Sequence, residues 1–499
     1  MLNLPLKHIA QNSLAFETQA MVKPTGFREY DARWLFGDEI NLNGLQALGA
    51  SLGTLMHNRG VRPELVTGHD FRSYSQSVKQ ALTLGLISAG ITVHDIGLCM
   101  TPMAYFAQFA LNVPAVAMVT ASHNENGWTG IKMGISPPLT FGPDEMQELK
   151  DITLNAKWQL RSGGGLVAVP EFYPRYLEEL LKQGRLTRKL KVIVACGNGT
   201  AGAFAPQVMR ALGCDVVEMD CTLDNTFPNY NPNPEDMEMV HAMAAAVAKH
   251  GADVCFGFDG DGDRCGVVDS EGHVIFSDKI GLLLARDMSK LVPNAQFVVD
   301  VKSTGLYAID EVLKANGARV DYWKTGHSHV KRRLHDLKAV AGFEKSGHFF
   351  LAGPFGRGYD DALVSAIAIC RMLDRAPQES LASMVDGLPK TWGTPTMSAH
   401  CADERKYLVC DAFSAEIEAM QRSGEMIGGY KIAQTTKING IRFTLEDGSW
   451  GLVRASSNKP ELVVVCESPV SEQAMRNIFN FINAKFIANA EIGAFNQTV

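Results

Sequence analysis

The sequence predicts an α/β protein of several domains that ends in a smaller α+β unit. Three observations predict it: short apolar runs alternate with helical periods through most of the chain, those runs open into polar loops, and after Pro389 the runs become closely spaced and turn-linked. Strands buried on both faces of a parallel sheet read as near-continuous apolar runs, whereas hairpin strands come in pairs around Gly-containing turns.

In chain order, Ser73 to Ala89 reads as helix, Ile91 to His94 as strand, and Ala115 to Val119 as a strand entering a polar loop. The stretch Gly163-Gly164-Gly165 closes this first unit. The second opens with helix Tyr173 to Lys182 and strand Lys191 to Cys196, and ends with strand Val254 to Phe258, a loop, and Cys265 to Val268 as the strand's continuation. A third runs through strand Phe297 to Val301, helix Leu306 to Asn316, strand Arg319 to Trp323 and the apolar helix Ala362 to Leu373. In the last, Ile441 to Leu445, the Asp447-Gly448 turn, Gly451 to Arg454 and Leu462 to Cys466 read as antiparallel strands. A final helix places Met475, Ile478, Phe479, Ile482 and Phe486 on one face. The boundaries fall at 1–165, 166–272, 273–388 and 389–499.

Composition narrows the function classes. With 499 residues, 46% of them apolar, the chain has material for several cores. A net charge of −7 gives no overall field for nucleic acid, so an anionic ligand must be held by local Arg, Lys and His, which suits small phosphorylated molecules. The ten cysteines form no Cys-x-x-Cys, and Cys196, Cys255 and Cys466 lie inside apolar runs, as expected of reduced thiols in a cytoplasmic protein. No apolar stretch is long enough to span a membrane, and Lys7, His8, Gln11 and Asn12 near the start do not suit a signal peptide.

The densest chemical signal is Asp259-Gly260-Asp261-Gly262-Asp263-Arg264. Three carboxylates on alternate residues, separated by glycines at a strand end, can fold around one hard cation such as magnesium. A calcium EF-hand loop requires Gly at its sixth position and Glu at its twelfth; Arg264 and Ser270 stand there instead. A solvated acidic turn is the plain alternative. The second signal is Thr120-Ala121-Ser122-His123-Asn124, followed by Gly127, Gly130 and Lys132, which presents a serine at a strand end. Cations nearby would stabilise Ser122 as a phosphoserine, whereas taken alone the segment is also compatible with a capping turn. No Gly-x-Ser-x-Gly surrounds Ser122, which argues against a hydrolase elbow.

With both loops in hand, the chain resembles the α-D-phosphohexomutase family, in particular its phosphomannomutase/phosphoglucomutase branch, over nearly its whole length. The resemblance implies three related α/β domains and a C-terminal α+β domain around a central cleft. It assigns Thr120 to Lys132 to the phosphoserine, Gly257 to Arg264 to Mg2+, Gly342-Phe343-Glu344-Lys345-Ser346-Gly347-His348 to the sugar, and Arg454-Ala455-Ser456-Ser457-Asn458-Lys459-Pro460 to the substrate phosphate. It further implies metal ligation by Ser122, Asp259, Asp261 and Asp263, and catalytic roles for Ser122, Lys132, His327 and Arg33. Tyr30, His123, Arg264, Lys302, Glu344, Ser346, His348, Arg454, Ser456, Ser457 and Asn458 are implied to bind substrate. The implied reaction interconverts hexose 1- and 6-phosphates of mannose or glucose, with a hexose 1,6-bisphosphate as intermediate and activator. Proton exchange by Lys132 requires a lowered pKa, for which Arg33 is the candidate cause. A monomer or weak homo-oligomer, without nucleic-acid or membrane partners, is expected.

The sequence departs from the family pattern in places. Trp34 stands where glycine follows Phe27-Arg28-Glu29-Tyr30-Asp31-Ala32-Arg33, Glu125 where proline is usual, and Thr129 where asparagine is usual. Ser457-Asn458-Lys459 replaces the commoner Asn-Thr-Glu, and Thr67-Gly68-His69-Asp70-Phe71-Arg72 is a loose match to a glycine-rich segment. Phosphoglucosamine mutase is the near alternative, since its sugar loop also ends Ser-Gly-His. Alternatives from other classes are a phosphatase, a non-catalytic sugar-phosphate sensor, and an NAD-dependent dehydrogenase. The last rests on Gly197-Asn198-Gly199-Thr200-Ala201-Gly202 after a strand, with Asp220 about twenty residues on.

Overall fold

The computed structural model describes residues 9–457 and 459–497. Contacts gather them into two units: residues up to Phe276 with Ser346–Leu381, and Ser277–Lys345 with Ala382 onward.

In the first unit, β1 (Ala32–Leu35), β2 (Glu64–His69), β3 (Thr92–Leu98), β4 (Ala115–Val119), β5 (Trp128–Gly134) and β6 (Gly165–Ala168) form a sheet in the order β1-β5-β4-β2-β3-β6. Strands β4, β2, β3 and β6 are parallel, while β5 reverses on β4 and β1 on β5. Every residue of β4 is buried, as its unbroken apolar run required. The glycine stretch does not end this unit as expected, because Gly165 opens β6. Gly164 serves packing: a Cβ on it would lie 2.2 Å from the Ile87 carbonyl oxygen.

The second sheet holds β7 (Lys191–Ala195), β8 (Asp215–Met219), β9 (Val254–Phe258), β10 (Cys265–Asp269) and β11 (Val274–Ile275), in the order β11-β10-β9-β7-β8. β7 runs parallel to β8 and β9. The expected continuation of β9 is instead its antiparallel partner, with Cys265 opposite Phe258. Asp259 makes the reversal, its Oδ1 accepting the N–H groups of Gly262 (3.1 Å), Asp263 (3.1 Å) and Arg264 (3.2 Å). The acidic run is therefore a hairpin tip.

In the second unit, β12 (Gln296–Asp300), β13 (Arg319–Trp323) and β14 (Ala341–Phe343) are parallel in the order β13-β12-β14. The single helix expected from Leu306 to Asn316 is two, Leu306–Ile309 and Glu311–Ala315. Asp310 breaks it: its backbone is extended (φ −65°, ψ 118°), and its side chain caps the Leu313 N–H at 3.0 Å while accepting from Arg286 Nε at 2.7 Å. The chain then returns to the first unit with β15 (Phe349–Leu351) and the helix Ala362–Arg375, which packs on the helix Ala205–Leu212 and on β10.

The C-terminal sheet comprises β16 (Trp392–Gly393), β17 (Met397–His400), β18 (Met426–Ile427), β19 (Tyr430–Thr436), β20 (Ile441–Leu445), β21 (Trp450–Ala455) and β22 (Glu461–Ser468). Their order is β16-β22-β21-β20-β19-β18, with β17 also on β22. Helices Lys406–Ser423 and Glu472–Ile487 contribute to its core, the latter through Met475, Ile478, Ile482 and Phe486, with Phe479 partly buried alongside.

Two departures from the family pattern turn out to face each other: Trp34 on β1 is the cross-strand partner of Thr129 on β5. The Trp34 indole is wholly buried, packs edge-on against Phe27 with centroids 5.2 Å apart, and donates from Nε1 to the Lys23 carbonyl at 2.8 Å. A Cβ on Gly26 would lie 1.8 Å from that nitrogen, so the indole fills space that glycine leaves open. Trp34→Ala is expected to destabilise the first sheet by about 3–5 kcal/mol, read as an earlier urea transition. A change under about 1 kcal/mol would mean that the surrounding side chains collapse into the hole.

Candidate active site

Three neighbouring strands bring one set of side chains together. On β1 and β5, Arg33 lies opposite Gly130 and Lys132 lies two residues further along, which puts both on one face; Lys132 is in turn opposite Met118 on β4. The serine loop leaves the end of β4. Its Thr120 N–H donates to Gly130 O at 2.9 Å, and the Ser122 N–H donates to Thr120 Oγ1 at 2.9 Å.

Ser122 has φ +51°, a left-handed conformation that a non-glycine residue holds only when its surroundings impose it. Those surroundings are Asp70 and Arg72, both buried just beyond β2. Asp70 Oδ2 accepts from Thr120 Oγ1 at 2.9 Å and from the Ala121 N–H at 3.3 Å. Arg72, itself paired with Asp70, donates through Nη2 to the carbonyls of Ser122 (3.0 Å) and Asn124 (2.6 Å). Arg33 adds a bond from Nη1 to Ala121 O at 3.3 Å and another to the Asn124 side chain, while Asp31 accepts from its Nη2 at 2.9 Å. Tyr30 is buried in the turn before β1, where Arg28 N–H donates to Asp31 O at 2.9 Å. Sequence reading assigned no role to Asp70 and Arg72, although the loosely matching segment at the end of β2 contains both.

The serine faces the acidic hairpin. Ser122 Oγ donates to Asp259 Oδ2 at 3.0 Å and lies 3.3 Å from His123 Nδ1. Close approach depends on Gly260, where a Cβ would fall 2.2 Å from the Ser122 carbonyl oxygen. Asp259, Asp261 and Asp263 are wholly buried, and one oxygen of each lies within 4.8 Å of the others. Lys132 Nζ donates to Asp261 Oδ2 at 2.7 Å and also to Asp263, and Thr101, unremarked in the sequence, donates its hydroxyl to Asp261. Asp261 Oδ1 is buried and accepts no hydrogen bond among the described residues. An all-carboxylate set with lone pairs to spare suits a hard divalent cation such as Mg2+.

The electrostatics point the same way. Burial, then the neighbouring Asp263 and Asp261, push Asp259 up to about 7, so the cluster is short of positive charge. Lys132 is a correction to the sequence reading: its pKa is not lowered by Arg33. Burial does pull the ammonium down, but Asp261, Asp263, Asp259 and Asp360 outweigh it and hold it above its ordinary value.

Arg264 Nε donates to His348 Nε2 at 2.9 Å and lies 3.9 Å from Asp259. The proton of a neutral His348 is therefore on Nδ1, which faces Asp360 at 3.0 Å and Asp263 at 3.6 Å. Burial pulls this imidazole down, and Asp263 and Asp360 more than reverse it. Ser346 and His348 belong to this first unit, as do Ser122, Lys132, Arg33, His123 and the three aspartates.

The second unit places Lys302, His327 and Glu344 beyond the C-terminal ends of its parallel strands β12, β13 and β14, where α/β sheets place ligands. Asp300 joins the loops: its Oδ1 accepts from Ser303 Oγ at 2.6 Å and Lys345 N–H at 3.3 Å, and its Oδ2 from Thr325 Oγ1 at 3.0 Å. Glu344 accepts the Gly326 N–H directly before His327, which begins the helix His327–Leu337. Lys302 is bracketed by Arg442, whose Nη1 donates to Val301 O at 2.9 Å and Ser303 O at 2.8 Å. At the end of β21, Arg454 donates to Ser457 Oγ at 3.3 Å and to Asn439 Oδ1 at 2.6 Å, and Ser456 Oγ accepts the Lys459 N–H at 3.2 Å. Asn439 is a further polar group at this loop, and the candidate Asn458 lies outside the described residues.

Comparison with known proteins agrees along most of the chain. The four phosphoglucomutase/phosphomannomutase domain families match in order: alpha/beta/alpha domain I over residues 24–160, domain II over 174–272, domain III over 276–392, and the C-terminal domain over 401–485. The chain belongs to the phosphoglucomutase/phosphomannomutase family. A phosphomannomutase/phosphoglucomutase of Pseudomonas putida is 33% identical over 455 residues, which is 91% of this chain and 94% of the relative. That of Pseudomonas aeruginosa PAO1 is 32% identical over 450 residues, covering 90% and 93%. A crystal structure of a family protein from Burkholderia thailandensis aligns with a TM-score of 0.82 and 29% identity, over 94% of this chain and 98% of its own.

Within this family member the dinucleotide-like glycines have another task. A Cβ on Gly199 would lie 3.0 Å from Gly260 Cα, and the Thr200 N–H donates to Gly260 O at 3.0 Å, so the turn buttresses the acidic hairpin. Asp220, the ribose reader of the dehydrogenase reading, instead accepts from Tyr230 (2.5 Å) and Asn229 (2.7 Å). Arg72→Met and Gly260→Ala are each expected to lower turnover on the order of 10²-fold, the usual effect of misplacing a reacting group by about 1 Å. Steady-state kinetics with circular dichroism checks this, and a variant folded as wild type with unchanged kcat would overturn the clamp.

Proposed function

We propose that this chain is a phosphohexomutase that interconverts the 1- and 6-phosphates of glucose and mannose. The observation that carries the reading is the hydrogen bond from Ser122 Oγ to Asp259 of the acidic hairpin, at 3.0 Å and with the serine backbone locked at φ +51°. In the proposed cycle, phosphoserine 122 gives its phosphoryl group to the free hydroxyl of a hexose 6-phosphate. That hydroxyl loses its proton, and Ser122 Oγ is released and regains one. The resulting hexose 1,6-bisphosphate then returns its 6-phosphoryl group to Ser122, leaving the 1-phosphate.

The residues take parts in keeping with their surroundings. Asp259, Asp261 and Asp263 would hold Mg2+, which when bound neutralises phosphoserine charge. Arg264, oriented by His348 and Asp360, steadies the phosphoryl oxygens. Lys132, kept protonated by its carboxylates, supplies charge and a proton to the oxygen that leaves phosphorus; to accept a proton it must first give up those carboxylates, for which a cation competes. Glu344 and Ser346 read sugar hydroxyls, His327 and Lys302 contact the substrate, and Arg454, Ser456 and Ser457 cradle its distal phosphate. Free, mostly buried thiols suit a reducing, cytosolic compartment.

Phosphorus NMR tests the reading, following glucose, mannose and glucosamine 1-phosphates in parallel with Mg2+ and a trace of the matching 1,6-bisphosphate. Conversion of the first two to 6-phosphates is expected. Preference for glucosamine would move the chain to the other branch, and release of inorganic phosphate would make it a phosphatase. Ser122→Ala is expected to abolish conversion, as is removal of Mg2+ with EDTA, which its return reverses. Lys132→Met should lower kcat by about 10²–10⁴-fold, the usual range for a lost general acid; a loss under about threefold would remove Lys132 from the proton path.

A further inference from the structure

Beneath the loops of the first unit sits a thiol pair that the proposed reaction does not use. Cys196 follows β7 and Cys221 follows β8, the neighbouring parallel strand, and their sulfurs are 3.6 Å apart. Cys196 is fully buried, while Cys221 is half-buried with its thiol directed to Val194 O (3.3 Å), Met219 O (3.5 Å) and Cys196 Sγ. Each cysteine begins a segment that touches a catalytic loop. After Cys196, Gly199 and Thr200 press on Gly260. After Cys221, Asn225 Nδ2 donates to Asn126 Oδ1 at 3.2 Å and Asn231 Nδ2 to the His123 carbonyl at 2.5 Å. The two segments are already laced together, Asn198 Nδ2 donating to Thr222 O at 2.8 Å, and space is short: a Cβ on Gly202 would lie 2.2 Å from Cys221 O.

We propose that Cys196 and Cys221 are a redox-sensitive site, closed to a disulfide by a peroxide, and that closure displaces the serine and acidic loops. Cys221, the less buried partner, attacks the peroxide O–O bond as its thiolate; that bond breaks, water leaves, and the sulfur is oxidised to a sulfenic acid. Cys196 then attacks that sulfur, the S–S bond forms, and the hydroxyl leaves as a second water, so two thiols and one hydrogen peroxide give one disulfide and two waters. The acidities are ordered to suit: the hydrogen bond shared with Cys196 is the main cause holding the Cys221 thiol down, whereas burial pushes the Cys196 thiol up. Joining the sulfurs requires them to approach from 3.6 Å to about 2 Å, and the crowded Gly202 and Gly199 contacts transmit that movement. The loss of mutase turnover rests on the proposed function, while formation of the bond does not.

The test treats the full-length protein with graded hydrogen peroxide, blocks remaining thiols with iodoacetamide, and maps disulfides by fragmentation mass spectrometry alongside mutase kinetics. A Cys196–Cys221 link, with kcat lowered at least about tenfold and restored by dithiothreitol, is expected. Cys221→Ser and Cys196→Ala should each keep their own untreated activity through the same exposure. Absence of the link, or a link of either thiol to another cysteine instead, would overturn the site; a link that leaves kcat unchanged, or equal losses in the variants, would overturn the switch. If the chain proves not to be a mutase, the mapped bond alone still decides whether the pair closes.

Discussion

Three carboxylates buried at one hairpin tip, in reach of a serine, are the constraint around which the first unit is arranged. At an effective dielectric of 20, two unit charges 4 Å apart interact by about 4 kcal/mol, so an uncompensated cluster would exclude a phosphate rather than receive one. The chain offsets this from several directions. Backbone N–H groups of the hairpin saturate one oxygen of Asp259, and Lys132 reaches Asp261 and Asp263 from the neighbouring sheet. Arg264 stands beside Asp259 on the far side, oriented by His348. The order β1-β5-β4 acquires its meaning here, because it puts Arg33 and Lys132 on one face beside the strand from which Ser122 emerges.

Compensating charge is not enough for phosphoryl transfer, which also demands that the nucleophile stay in place while charge develops. A serine at φ +51° would relax if its loop were free. Asp70 and Arg72 prevent this by satisfying, from beneath, the loop groups that a relaxed backbone would turn elsewhere. Burial strengthens that hold. Gly260 supplies the complementary condition on the other side, since any side chain there would drive the hairpin off the serine.

The contiguous parts of this design were legible in the sequence and the distributed parts were not. The aspartate run and the serine loop each hold their polar groups within a few residues, and β4, β9, β13 and β20 appear at the positions their apolar runs gave. Asp70, Arg72, Thr101 and Asp300 act on partners far along the chain, so their local sequence, even the loose match that contains Asp70 and Arg72, does not reveal what they do. The reversal at Asp259 was missed because an apolar run on either side of a loop fits both a continuing strand and a hairpin, and only the side-chain bonds to the tip decide. The break at Asp310 has the same origin, a carboxylate capping a helix inside an apparently helical period. Gly-x-Gly-x-x-Gly after β7 records close backbone approach and nothing more: the same small residues admit a pyrophosphate in one fold and a neighbouring hairpin in this one.

In the second unit the C-terminal sheet does more than carry the loop after Arg454. Glu467 on β22, buried, accepts from Thr304 Oγ1 (3.0 Å), Gly305 N–H (2.9 Å) and Trp450 Nε1 (3.0 Å). Arg442 on β20 lies against Trp450, 3.6 Å from the ring centroid, and holds the carbonyls on both sides of Lys302. Val301, Trp450, Leu452 and Val465 close an apolar cluster under these bonds. A buried guanidinium is costly unless its donors are met, and burial indeed pulls Arg442 below its ordinary value. The carbonyls of Val301 and Ser303 are what meet those donors. The turn after β12 and the C-terminal sheet are thus bound through groups that neither can leave unpaired without loss, so the placement of Lys302 is a property of both.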